Sequence, residues 1–216
     1  EGRNLEAILD LLAAGRLVHY SLELDRPLAL VQRLLLGGDD QMGWRQAWLA
    51  GDVLREAGLQ RIEEDVLGRT LLAQVRERLA ALVDNGRLTV RERADAGDTL
   101  AALGDRRPGV GVIQVEGREL PDITLAYIPP GPFDMGADNG DKGAQEHEKP
   151  LHRLNLPYGY WLARYPVTVA QFAAFVTQSG YRPFDSDSLR GVANRPVIWV
   201  SWDDAIAFCR WLDGGW

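Results

Sequence analysis

Ile123-Thr-Leu-Ala-Tyr-Ile128, Pro129-Pro-Gly-Pro132 and Phe133-Asp-Met-Gly136 form the stretch on which the reading of the fold turns. The first segment alternates β-branched and aromatic residues, the second forces a turn, and the third resumes an extended path. His152 to Leu156 and Tyr158 to Ala163 read as two further strands. Two helices follow. Thr168 with Gln171 has capping-box spacing ahead of Phe172, Phe175 and Val176, and Ser201 with Asp204 has it ahead of Ala205, Phe208, Cys209, Trp211 and Leu212.

Upstream, the text is different. Before residue 105 the chain has a single proline, Pro27. Its apolar residues recur at three and four, as in Leu5, Ile8, Leu9, Leu12 and again in Val66, Leu67, Leu71, Val75, Leu79, Leu82, which is the mark of amphipathic helices. Breaks at Gly15, Gly37-Gly-Asp-Asp40, Gly58 and Asn85-Gly86 predict helices near 3–14, 27–36, 44–57, 59–84 and 90–103. Thr89 with Glu92 gives the last one a capping box. Ala94, Gly97 and Ala101 on that helix permit close packing, either as a plain small-residue interface or as one HEAT-like repeat unit. The fold class read from this order is α+β: an all-α domain over 1–105, a linker over 106–119, and a mixed domain over 120–216.

Composition narrows the function classes. The chain has 216 residues, 46 % of them hydrophobic, with 24 Lys+Arg against 31 Asp+Glu and a net charge of −7. Neither half is basic, and the Arg87, Arg91, Arg93 group is interleaved with Glu92 and Asp95, so no nucleic-acid partner is expected. No apolar run approaches the ~20 residues that span a bilayer, so no membrane partner is expected either. The single cysteine, Cys209, cannot make an internal bridge, and this favours a cytoplasmic location. The start, Glu1-Gly2-Arg3, shows no initiator Met and no signal peptide, as expected of a segment from something longer. No phosphate-loop pattern occurs.

The second half resembles the formylglycine-generating enzyme family, also called the sulfatase-modifying-factor domain, a member of the C-type lectin fold. The resemblance rests on Ile128-Pro-Pro-Gly-Pro-Phe-Asp-Met-Gly136, the loop ending Glu148-Lys-Pro-Leu-His152, Tyr165-Pro-Val-Thr168 with Gln171-Phe172, and Arg195-Pro-Val-Ile-Trp-Val-Ser-Trp-Asp-Asp-Ala205 running into Phe208-Cys-Arg-Trp-Leu212. It covers about 120–212 and implies the N-terminal half of such a domain. Catalytic members use a cysteine pair that binds copper and activates oxygen, and the wider family includes an iron site of three histidines. Neither set can be assembled here. The domain also occurs as a sensor in large bacterial proteins, and the fold serves as the variable display protein of diversity-generating retroelements.

From this resemblance the chain is expected to be no enzyme and to need no cofactor. It would act as a non-catalytic recognition or display module of a bacterial signalling or defence protein, with a protein or small-molecule ligand. A complementary C-terminal segment is a further possible partner. The alternative is a fragment of a formylglycine-generating-type oxidase whose cysteines lie downstream. Trp202 is the one candidate ligand-binding residue, open between ring stacking and core packing. Trp199 and Trp211 are expected in the core, and Cys209 is expected as a small buried apolar side chain. Asp138-Asn-Gly-Asp141 is read as a tight turn and His147, between Glu146 and Glu148, as part of a solvated loop. Glu148 and His152 are expected to tie that loop to the sheet, and Ser201 is expected to cap its helix rather than act as a nucleophile.

Overall fold

Aspartates start two of the helices in the first unit. The structure, a computed structural model, describes residues 24–214, so the helix expected near 3–14 lies outside the described residues. The unit contains α1 (Asp25–Leu34), α2 (Gln41–Ala57), α3 (Leu59–Glu64), α4 (Val66–Asp84) and α5 (Val90–Ala102). The Asp40 carboxylate accepts from Gly43 N at 2.7 Å at the head of α2, and the Asp65 carboxylate accepts from Gly68 N at 2.6 Å at the head of α4. The second cap corrects the expectation of one helix over 59–84. Asp65 takes an extended backbone, offering its carboxylate to the chain ahead, and the helix breaks there. The Thr89–Glu92 capping box is present as expected.

The core of this unit joins the inward stripes of the helices: Leu28 and Val31 of α1, Ala50 and Leu54 of α2, Ile62 of α3, Leu72, Val75 and Leu79 of α4, and Leu100 of α5. Close approach occurs at Gly51, where an added Cβ would lie 2.8 Å from Thr99 Cγ2 and 2.9 Å from Leu79 Cδ1. Gly97, expected to provide it, faces open space, and Ala94 is exposed; Ala96, Thr99 and Leu100 are the buried residues of α5. The α1–α2 turn is held by Arg78, whose guanidinium lies 4.0 Å from the Trp44 ring centroid and donates to Asp39 Oδ1 at 2.6 Å and Gly38 O at 2.5 Å. A Cβ at Gly43 would lie 2.0 Å from Gly38 O, a backbone atom that cannot swing aside. Gly43→Ala is therefore expected to destabilise the chain by about 2 kcal/mol, read as a lowered midpoint in urea. An unchanged midpoint would refute the close packing of this turn.

The second unit begins earlier than expected. Residues assigned to a linker contain β1 (Val112–Val115) and the start of β2 (Arg118–Pro121), an antiparallel hairpin closed at Val115↔Arg118. Its two turn residues, Glu116 (φ 50°) and Gly117 (φ 79°), both lie in the left-handed region, as a two-residue hairpin turn of the primed type requires. β3 (Leu125–Ile128) pairs antiparallel with β6 (Tyr160–Ala163), and β4 (Gly131–Met135) with β5 (His152–Leu156). Pro129 and Pro130 carry the chain from one pair to the other, so one pair is nested in sequence within the other.

Two helices, α6 (Val169–Ser179) and α7 (Trp202–Gly214), complete the described chain, and their facing sides meet at Phe172, Phe175 and Phe208. The architecture is α+β, an all-α unit followed by a mixed one. Among the described residues no helix is long and apolar enough to cross a membrane.

Candidate functional site

Two capping boxes position the face around α6 and α7. At α6, Thr168 Oγ1 accepts from Gln171 N at 3.3 Å while Gln171 Oε1 accepts from Thr168 N at 3.0 Å. Both side chains are buried and reach on into the chain before β1 and after β2. Thr168 Oγ1 donates to Val110 O at 2.8 Å, and Gln171 Nε2 donates to Gly109 O at 3.1 Å and Asp122 O at 2.5 Å. The same two residues thus cap a helix and dock the hairpin, a second role that spacing alone does not reveal.

At α7, Ser201 and Asp204 form the expected box, with Ser201 N donating to Asp204 Oδ2 at 2.7 Å and Asp204 N donating to Ser201 Oγ at 3.1 Å. Asp204 is fully buried and accepts more: Ser201 Oγ at 2.8 Å, Tyr181 OH at 2.9 Å and Phe184 N at 3.1 Å. Burial pushes its carboxyl toward a higher pKa, but the bonds from Ser201, Phe184 and Tyr181 outweigh it and hold the group below the usual carboxylate value. Those bonds have the opposite effect on the Tyr181 phenol, whose proton Asp204 retains, raising its pKa. A carboxylate saturated in this way is a structural hub rather than a base, and the Ser201 hydroxyl, donating into it, is no free nucleophile. This hub is the feature that sequence reading missed, seeing Asp204 only as a capping partner.

The aromatic residues are distributed otherwise than expected. Trp211 packs on the core, 5.4 Å from the Phe175 ring centroid. Trp199 does not: it is 64 % exposed and has φ of 60°. Trp202 is 75 % exposed at the first turn of α7. Trp161, also exposed, pairs with Tyr127 across β3 and β6 at 5.2 Å between centroids. No ring contact joins this pair to Trp199 or Trp202 among the described residues. Cys209 is exposed, correcting its expected burial. The inward stripe of α7 runs through Asp204 and Phe208, which puts position 209 beside it on the open side.

The acidic loop behaves as a folded turn. Gly140 N donates to Asp138 Oδ1 at 2.6 Å and Gly143 N to Asp141 Oδ1 at 2.9 Å. The aspartate carboxylates hold these turns, and neither Asn139 nor Gly140 takes a positive φ. Glu148 accepts from Gln145 N at 2.8 Å, its carbonyl accepts from Ala137 N at 2.9 Å, and His152 Nδ1 lies 2.9 Å from Pro150 O. Glu148 and His152 therefore shape the loop and its entry to β5. Among the described residues no group of three or more His, Cys, Asp or Glu side chains could hold a metal ion.

Comparison with known proteins bears on this geometry. Residues 113–214 match the family model of the sulfatase-modifying factor enzyme 1-like domain. The formylglycine-generating enzyme of Mus musculus is 25 % identical over 186 residues, covering 64 % of this chain and 50 % of that protein. The serine/threonine-protein kinase Pkn1 of Chlamydia trachomatis is 31 % identical over 137 residues, covering 52 % of this chain and 22 % of the kinase. The solved structure of PvdO from Pseudomonas aeruginosa superposes with a TM-score of 0.38 at 22 % identity, over 50 % of this chain and 45 % of that one. The chain thus spans half or less of the length of these relatives. Several curated relatives are named formylglycine-generating enzymes, which overturns the expectation that the chain is no enzyme: its similarity runs to an enzyme family. Over residues 113–214, just under half of its length, the chain is similar to the sulfatase-modifying factor enzyme 1-like domain family.

Proposed function

We propose that this chain is part of a formylglycine-generating-type enzyme, in which residues 113–214 supply the framework and a polypeptide-binding face. The observation that supports this most is the family match over these residues, together with relatives that carry that activity in their names. The cysteine pair that would hold copper does not fit the residues present, because the chain has one cysteine and it is exposed on α7. No step through copper is derived for this chain, and the redox groups are assigned to residues outside this sequence.

In this reading the open apolar surface divides between a face covered by the rest of the domain and a residue left for the substrate polypeptide. Phe133 (41 % exposed), Met135 (49 %) and Leu154 (38 %) share one face of the β4–β5 pair, at alternate positions in register. Two-stranded pairs are marginal in water unless such a face is covered. A complementary segment of the same domain covers the β4–β5 face in this reading, leaving Trp202 for the substrate polypeptide.

A second reading, a recognition domain within a larger signalling protein, draws on the match to Pkn1. One experiment separates the two. The protein encoded by the complete reading frame is incubated with copper, oxygen and a cysteine-containing peptide, and aldehyde is trapped with a hydrazide. The enzyme reading expects loss of thiol with matching gain of aldehyde, and Trp202→Ala to weaken peptide binding about tenfold. Peptide binding with the thiol left intact would overturn it and favour the recognition reading.

A further inference from the structure

The segment from Ala193 to Val197 has two working edges. Its backbone is fused to the start of α6: Val169 N donates to Arg195 O, Ala170 N to Ala193 O and Val197 N to Val167 O, each at 2.9 Å, and Thr168 bridges Pro196. Its side chains reach the other way, to α5 and its exit. Asn194 Nδ2 donates to Gly97 O at 3.0 Å and to Asp105 Oδ2 at 2.8 Å. The Arg195 guanidinium pairs with Asp98 in a two-pronged contact, Nε to Oδ1 at 2.8 Å and Nη2 to Oδ2. These contacts close a loop of 97 residues between the helical unit and the domain that follows it.

The remaining connections explain why this contact matters. The apolar core of the helical unit and that of the second unit share no residue among those described. The covalent connection is braced at one point, where Arg107 pairs with both Asp105 and Asp84 at 2.8 Å. A chain crossing braced at one point leaves rotation about that point free, and units with separate apolar cores move relative to one another by default. The Asn194–Arg195 contact supplies the second point. Its Arg195–Asp98 half is open to solvent, with the Arg195 side chain 54 % and the Asp98 side chain 29 % exposed, so salt or a competing anion reaches that pair. The Asn194 bond goes to Asp105, whose side chain is 5 % exposed.

We propose that Asn194 and Arg195 form a releasable polar latch that sets the orientation of the helical unit relative to the sulfatase-modifying-factor-type domain. Because the latch segment is continuous with the start of α6 and runs on to Trp199 and Trp202, a ligand bound at that exposed end acts on the same strip of backbone that holds the helical unit.

The test measures the distance between the units in the full chain by pulsed electron paramagnetic resonance. One spin label is attached to the exposed native Cys209 and one to a cysteine introduced by Leu36→Cys, a position 84 % exposed. Arg195→Asp is expected to broaden the distance distribution about twofold, as is ~1 M salt on the unaltered pair, where the screening length falls to ~3 Å. Arg195→Gln, a shorter neutral amide that removes the charge, broadens it in the same sense and serves if the aspartate variant fails to fold. Asp98→Arg combined with Arg195→Asp restores the narrow distribution. A width unchanged in Arg195→Asp and Arg195→Gln, or equally broad in the charge-reversed pair, would overturn the latch.

Discussion

Phe175→Ala lowers the stability of the chain by about 3–5 kcal/mol, the range for removing a buried aromatic side chain and leaving a cavity. Phe175 is 2 % exposed, and its ring meets four others: Phe172 at 5.5 Å, Tyr181 at 5.0 Å, Phe208 at 5.6 Å with planes at 88°, and Trp211 at 5.4 Å. These contacts join α6, the segment after it and α7, so the loss falls on the contact that holds the second unit together. Against a typical total of roughly 5–15 kcal/mol, the substitution consumes much of the margin. Urea unfolding of the full chain, followed by far-UV and tryptophan signals, gives the number. Phe184→Ala, at a position 87 % exposed, is the control and stays within ~0.5 kcal/mol of the parent. Equal midpoints for the two variants would contradict the core described above.

Asp204→Ala has the next largest expected effect, about 3 kcal/mol, because it leaves several donors in and around the core without their acceptor. The Tyr181 hydroxyl, the Phe184 amide, and the Ser201 amide and hydroxyl all lose the same carboxylate. The effect depends on pH with a definite sign. The folded carboxyl lies below its unfolded value, since the bonds to the ionised form outweigh burial. Its contribution is therefore complete above the unfolded carboxylate pKa of about 3.9. It fades as pH falls through the lower, folded value. The stability gap between the parent and Asp204→Asn is accordingly widest near neutrality and narrows on acidification. Tyr181 acts in the opposite direction at the alkaline end: its folded pKa is raised, so the Tyr181–Asp204 bond contributes below the unfolded phenol pKa and is lost as pH rises through the folded one. A gap that widens on acidification would refute the assignment of Asp204 as an ionised hub.

Features governed by a few neighbouring residues were legible in the sequence. The boxes at Thr89–Glu92, Thr168–Gln171 and Ser201–Asp204 form as read, and β5 spans His152–Leu156 as expected. The break at Asp65 and the hairpin at Glu116-Gly117 were also local, but their signals were weak. Asp65 sits inside an unbroken apolar period, and Glu-Gly is a less telling turn pair than Asn-Gly. The α7 helix shows where local reading stops. Apolar residues surround it, from Ala205 through Ile206, Ala207, Phe208 and Cys209 to Trp211 and Leu212, so periodicity alone selects no inward direction.

What the sequence by itself determined is the order of the parts: helices, then short strands, then two capped helices, with the motifs of one domain family spread through the second part. Caps, turns and strand patterns act within a few residues, and the chain carries that information wherever it goes. Only the tertiary structure decided which side chains face inward and which meet solvent. Burial is a property of the partner surface: α6 and its flanking segment draw Asp204 and Phe208 inside, and Trp199, Trp202 and Cys209 are left open. The same holds for the meeting of Asn194 and Arg195 with Gly97 and Asp98, which no local rule connects across 97 residues.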